Sequence, residues 1–95
     1  MYSNDNITHR VVDGEVYKKT VVHRFKLSDV DDPEIYAAQP IWEWQQSEPG
    51  KFVMENAMTE PELHKNMDYA SYGYQFAITA WLKEKDLTYF YLRWS

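Results

Sequence analysis

The side chains able to move a proton or hold a metal are three imidazoles, His9, His23 and His64, with Asp29, Glu62 and Asp68 as carboxylates to orient them. Their spacing is irregular, and no pair falls on one helical turn as metal ligands often do. His23 stands on the apolar side of a predicted strand, where an imidazole is expected to be a hydrogen-bonded structural group. The acidic run "SDVDD", residues 28–32, lacks the glycine and the distal glutamate of an EF-hand loop, and helix capping accounts for it. "SYGY", residues 71–74, has one glycine, too few for a loop that cradles phosphate. With no cysteine, neither a thiolate metal site nor a disulfide framework can form. We expect no catalytic residue, no metal and no cofactor, and a protein that is not an enzyme.

The remaining chemistry is that of association. "WLKEKDLTYFYLRWS", residues 81–95, crowds Trp81, Tyr89, Phe90, Tyr91 and Trp94 about a charged turn. Tyr, Trp and Arg are the types that concentrate at contact surfaces. Which of them face outward depends on the elements that carry them.

A chain of 95 residues is one domain near the size at which a core is just sufficient. Aromatics make up 17% of it, and because each buries a large area, a small core built from them can be stable. We expect a single domain over residues 1–95 with residues 1–10 as a loose arm. The opening "MYSNDNITH" lacks the basic and apolar regions of a signal peptide, and no segment reaches the length of a membrane span. A cytoplasmic location is the expectation. The net charge of −5 is unevenly spread: residues 28–68 carry ten Asp/Glu against two Lys/Arg, while the segments on either side are slightly basic. An overall basic signature for duplex binding is missing.

Asp13-Gly14 in "VVDGEV" is a tight-turn signal. "VYKKTVVHRFKL", residues 16–27, alternates as a half-buried strand, with Tyr17, Val21, His23, Phe25 and Leu27 on one side and Lys18, Thr20, Val22, Arg24 and Lys26 on the other. Asp32 before Pro33 and Glu34 predicts a helix start. Pro40 predicts a break or kink, with the helix resuming through Gln46 and Ile35, Ala38 and Trp42 on one face. A second helix is expected after Ser47, with Phe52, Val53 and Ala57 inward. A loop follows, with a short edge strand around Glu62–Lys65. Residues 72–82, "YGYQFAITAWL", read as a strand.

Residues 88–94 read as the hairpin partner of that strand. A three-residue loop, Glu84-Lys85-Asp86, pairs Leu82 with Thr88, Ala80 with Phe90, Ile78 with Leu92 and Phe76 with Trp94, which gives one clean apolar face. The prediction is therefore a two-layer α+β domain: an antiparallel sheet with a C-terminal β-hairpin, one face covered by a broken helical layer. On the open face Trp81, Tyr89, Tyr91 and Arg93 join Arg24 and Lys26.

That face has three readings: tyrosines packed as half-exposed cross-strand pairs, a homo-oligomer or protein interface, and a platform for single-stranded nucleic acid. We take the second as the expectation, a small interaction protein whose partner is itself or another protein, with no membrane role. The acidic helical layer offers a further alternative, an inhibitor or nucleic-acid mimic acting on a basic host surface. "PIWEWQQSEPGKFVMENA" and "SYGYQFAITAWLKEKDLTYFYLRW" resemble segments of small uncharacterised proteins of tailed, T4-like bacteriophages. The resemblance spans nearly half the chain. It implies a phage accessory protein of the host cytoplasm and carries over no activity and no site residue.

Overall fold

A computed structural model describes residues 9–28, 31–68 and 73–94. In chain order these form β1 (His9–Val12), β2 (Glu15–Leu27), α1 (Pro33–Gln46), α2 (Glu48–Asn56), β3 (Glu62–Asp68), β4 (Gly73–Lys83) and α3 (Glu84–Trp94). The strands make one antiparallel sheet in the order β1-β2-β4-β3. The helices cover one of its faces, so the α+β two-layer expectation holds. The molecule is only 20 Å through its thin dimension, which is what one sheet and one helical layer require.

The β1–β2 turn is built as its sequence suggests, with Asp13 (φ 51°) and Gly14 (φ 79°) both left-handed. Because β1 opens at His9, the last two residues of the expected arm are strand, and residues 1–8 lie outside the described residues. β3 extends the expected edge strand from Lys65 to Asp68.

α1 runs unbroken through Pro40. Tyr36, whose carbonyl Pro40 leaves without an amide, is exposed, so water can serve that carbonyl. The break comes at Ser47 instead. The Ser47 amide caps the end of α1 through the carbonyls of Glu43 and Trp44, and its hydroxyl accepts from the Gly50 amide at 3.2 Å to open α2. Asp32 stands at the N-cap position of α1 and its carbonyl takes the amides of Ile35 and Tyr36, but its carboxylate caps no amide, contrary to the capping expectation.

The C-terminal β-hairpin is overturned. Residues 84–94 are helix α3, packed beneath the sheet beside α2. In helical spacing Leu87, Phe90 and Trp94 share one side, and all three join the core with Val22, Trp44, Val53, Ile78, Ala80 and Leu82. Glu84 and Asp86 lie in the first turn and Arg93 in the last, as the helix dipole favours. With α3 removed from the sheet, β4 pairs with β2 and β3. Its helix-facing residues are the expected ones: Phe76, Ile78, Ala80 and Leu82 are all buried.

The alternation of β2 is also corrected. A bulge between Val21 and His23 adds a residue, so the strand changes phase. Before the bulge Lys18 and Thr20 pair with Leu82 and Ala80 and face the helices; after it His23, Phe25 and Leu27 do. Lys18 is therefore not on the open face. It pairs with Glu84 at 3.7 Å, and Thr20 shares a 2.8 Å hydroxyl hydrogen bond with Tyr91, so both residues hold α3.

His23 lands on the helix side, its ring stacked on Trp44 with centroids 5.8 Å apart and tilted against Phe25 at 5.9 Å. Partial burial there holds its imidazole below the usual histidine range. A folded-state pKa below the unfolded one means that the unfolded chain binds the extra proton more readily. The stabilisation is thus complete above the ordinary value near 6.5 and is lost as pH falls below it. Urea unfolding at pH 7.5 and 5.0 should show the wild type losing stability between the two, and His23→Phe losing less. An equal loss in both would remove His23 as the cause.

Candidate functional site

The six side chains expected on one face are divided between two surfaces. Arg24 and Lys26, opposite Ala77 and Gln75, do stand on the open sheet face. Trp81 has the expected orientation, opposite Lys19 on that face, yet it is only 7% exposed. Its cover is Arg10 from β1, whose guanidinium lies 4.7 Å from the ring centroid. Tyr89, Tyr91 and Arg93 belong to α3 on the other side of the sheet. Tyr89 packs on Phe52 and edge-on to Trp94, with centroids 5.1 and 5.9 Å away, and Tyr91 is bound to Thr20. Arg93 reaches Glu48 at 3.6 Å and lies over Trp94 at 5.9 Å. These three tie α3 to α2 and β2.

The open face is basic. Register places Arg10, Lys19, Arg24, Lys26 and Lys83 on it, against Glu15, Glu62 and, opposite Gly73 at the end of β3, the position of Asp68. Glu15 and Lys83 pair at 2.8 Å, which lowers the carboxyl pKa and raises that of the ammonium. His64 is here too, its Nε2 2.9 Å from the Thr79 hydroxyl. Between the β2 cations and Asn66 of β3, the small side chain of Ala77 leaves a trough of about 220 Å³.

A second surface was not anticipated. Ile35, Ala38 and Trp42 do share one face of α1, but that face is turned to solvent: Ile35 is 69% and Trp42 57% exposed. The side packed inward carries Pro33, Ala37 and Trp44. Exposed Gln39 and Gln46 complete a line Ile35-Gln39-Trp42-Gln46 that carries no charge on an otherwise acidic layer. β3 borders a different flank of α1, where Leu63 shares a cleft with Ile41, Trp44 and Gln45. Leu63 and Met67 pair with Ile78 and Tyr74 and are exposed on the helix side of the sheet edge. The Lys65 ammonium, between them in sequence, pairs with Glu34 and ties the start of α1 to this edge. The signal in the sequence was the weak apolar content of α1, which has two candidate faces and too few large residues to bury both.

No group of three His, Asp or Glu side chains converges on a possible metal position among the described residues. His9, His23 and His64 lie on different parts of the sheet. Asp29 lies outside the described residues, as does part of "SYGY". No helix among the described residues is long and apolar enough to cross a membrane. No protein-family model, curated protein or solved structure matches the chain.

Proposed function

We propose that the chain is a small non-enzymatic interaction protein that associates with a second copy of itself through the exposed outer face of α1. The observation that carries this is the exposed, uncharged line on α1. Its residues recur at intervals of four, three and four, the spacing of a seam between packed helices. The seam is self-complementary. Ile35 and Trp42 are equidistant from the midpoint between Ala38 and Gln39, so an antiparallel pair of α1 helices about a two-fold axis sets each Ile35 against the other copy's Trp42. Small Ala38 allows close approach; the Gln39 Nε2 already donates to the Glu43 carboxylate at 2.9 Å, and its second N–H and its carbonyl oxygen can meet its own copy. A single helix seam with two large apolar anchors, Ile35 and Trp42, offers few hot spots, so the dimer is expected to be weak and to depend on concentration. The proposed contact surface is thus the outer face of α1 in place of the sheet face. Together with the resemblance to phage proteins, this reading describes an accessory protein of the host cytoplasm.

Light scattering over a wide concentration range tests it. The wild type should pass from monomer to dimer, and Trp42→Glu should stay monomeric while keeping its circular dichroism spectrum. A wild type that stays monomeric throughout, or a dimer indifferent to Trp42→Glu, would refute the proposal.

A further inference from the structure

The open face of the sheet raises a separate question, because a chain of net charge −5 gathers five cations against three carboxylate positions there. The acidic residues of 28–68 lie mainly on α1, α2 and their flanks, so the molecule has one acidic side and one basic side. Such separation creates a local potential that attracts anions whatever the net charge. We infer that this face binds a single-stranded nucleic acid.

Three features favour that polyanion over an acidic protein or a duplex. Lys19, Arg24 and Lys26 follow one another along β2, so a phosphate backbone laid along the strand meets successive cations. The trough over Ala77 is edged by Asn66 and Gln75, whose amides carry both donors and acceptors and can read the edge of an unstacked base. Third, the Trp81 ring already holds a planar group, the Arg10 guanidinium. A base can take that position while Arg10 turns to a phosphate, since both partners stack on the same aromatic face. An acidic peptide would use the cations and leave the amides and the ring idle. A duplex would need an element that enters a groove, and a flat sheet face presents none.

The test is fluorescence anisotropy of a labelled oligothymidylate of about 15 nucleotides with the full chain, at salt from about 20 to 200 mM. The expected result is binding that weakens with salt, with a log–log slope near −3 for four phosphate contacts (Lys19, Arg24, Lys26 and the displaced Arg10), at about 0.7 each for a single strand. Arg24→Ala/Lys26→Ala should weaken binding about tenfold or more at the lowest salt and remove about 1.4 from the slope. Lys51→Ala, an exposed cation on α2, should change neither. Circular dichroism checks that each variant is folded. No binding at the lowest salt would overturn the inference. So would equal effects of the sheet and α2 variants, or tighter binding of polyglutamate than of the oligonucleotide. Because Trp42 is on the opposite layer, Trp42→Glu should leave oligonucleotide binding intact, so this inference and the dimer proposal fail separately.

Discussion

Gly50→Ala should be among the most damaging single-atom additions to this protein, costing about 3 kcal/mol. A methyl group at residue 50 would stand 1.7 Å from the Trp44 carbonyl oxygen, 2.6 Å from its carbon and 3.1 Å from the Gln45 Cα. Those atoms are backbone at the end of α1 and cannot turn aside as a side chain would. The cause is the tight reversal at Ser47, which brings the first turn of α2 against the last turn of α1. Relieving the clash would separate the two helices or tilt Trp44, which packs in the core beneath them. Small domains are stable by only about 5–15 kcal/mol, so the variant should unfold at a much lower urea concentration. Gly14→Ala is the informative comparison. Gly14 has φ +79° but nothing within 4 Å of an added methyl, so its replacement meets conformational strain alone, about 1 kcal/mol. A Gly50→Ala midpoint at or above that of Gly14→Ala would show that the α1–α2 junction yields, contrary to this account.

Much of the frame was legible because its signals were local and agreed with one another. The Asp13-Gly14 turn, the alternation of β4 and the Ser47–Pro49 helix restart each follow from a few neighbouring residues. The core face of β4 was identified correctly even though its partner was not. Residues 84–94 were harder because the aromatic run satisfies two periods at once. Phe90, Leu92 and Trp94 suit a strand, whereas Leu87, Phe90 and Trp94 suit a helix. Requiring a hairpin partner for β4 selected the first. The charges pointed to the second, since Glu84 and Asp86 precede Arg93 in the order that a helix dipole favours.

The expected site divided for the same reason, and for one more. A β-bulge leaves little trace in composition, yet the bulge at Val21–His23 decides what every cation on β2 does. Lys18 is turned toward Glu84 and Thr20 toward Tyr91, where they anchor α3, while Arg24 and Lys26 are left on the open face. Val22, at the irregularity, enters the core. One inserted residue thus separates a structural half of the strand from a surface half. Arg10 over Trp81 joins residues 71 positions apart in the chain, and no local pattern could have shown that cover.

The second large effect tests whether residues 84–94 are helical. Phe90 is 6% exposed and packs against Phe52 and Trp94, with ring centroids 6.5 and 5.5 Å away. Leu92, two residues on, is 83% exposed. Phe90→Ala should cost about 3–5 kcal/mol, combining lost transfer energy with a cavity at the junction of α2, α3 and the sheet. Leu92→Ala should change stability by no more than about 0.5 kcal/mol. In a strand, residues two apart share a face, so both replacements would be costly together. In a helix they lie about 200° apart, and only one can face the core. Urea unfolding of the two variants therefore distinguishes the geometries without a new structure. Comparable losses would restore the hairpin, return Tyr89, Tyr91 and Arg93 to the sheet face and leave Lys18 and Thr20 without α3 to hold. A large loss for Phe90→Ala alone would leave α3 beneath the sheet, and the open face to Trp81 and the cations of β1, β2 and β4.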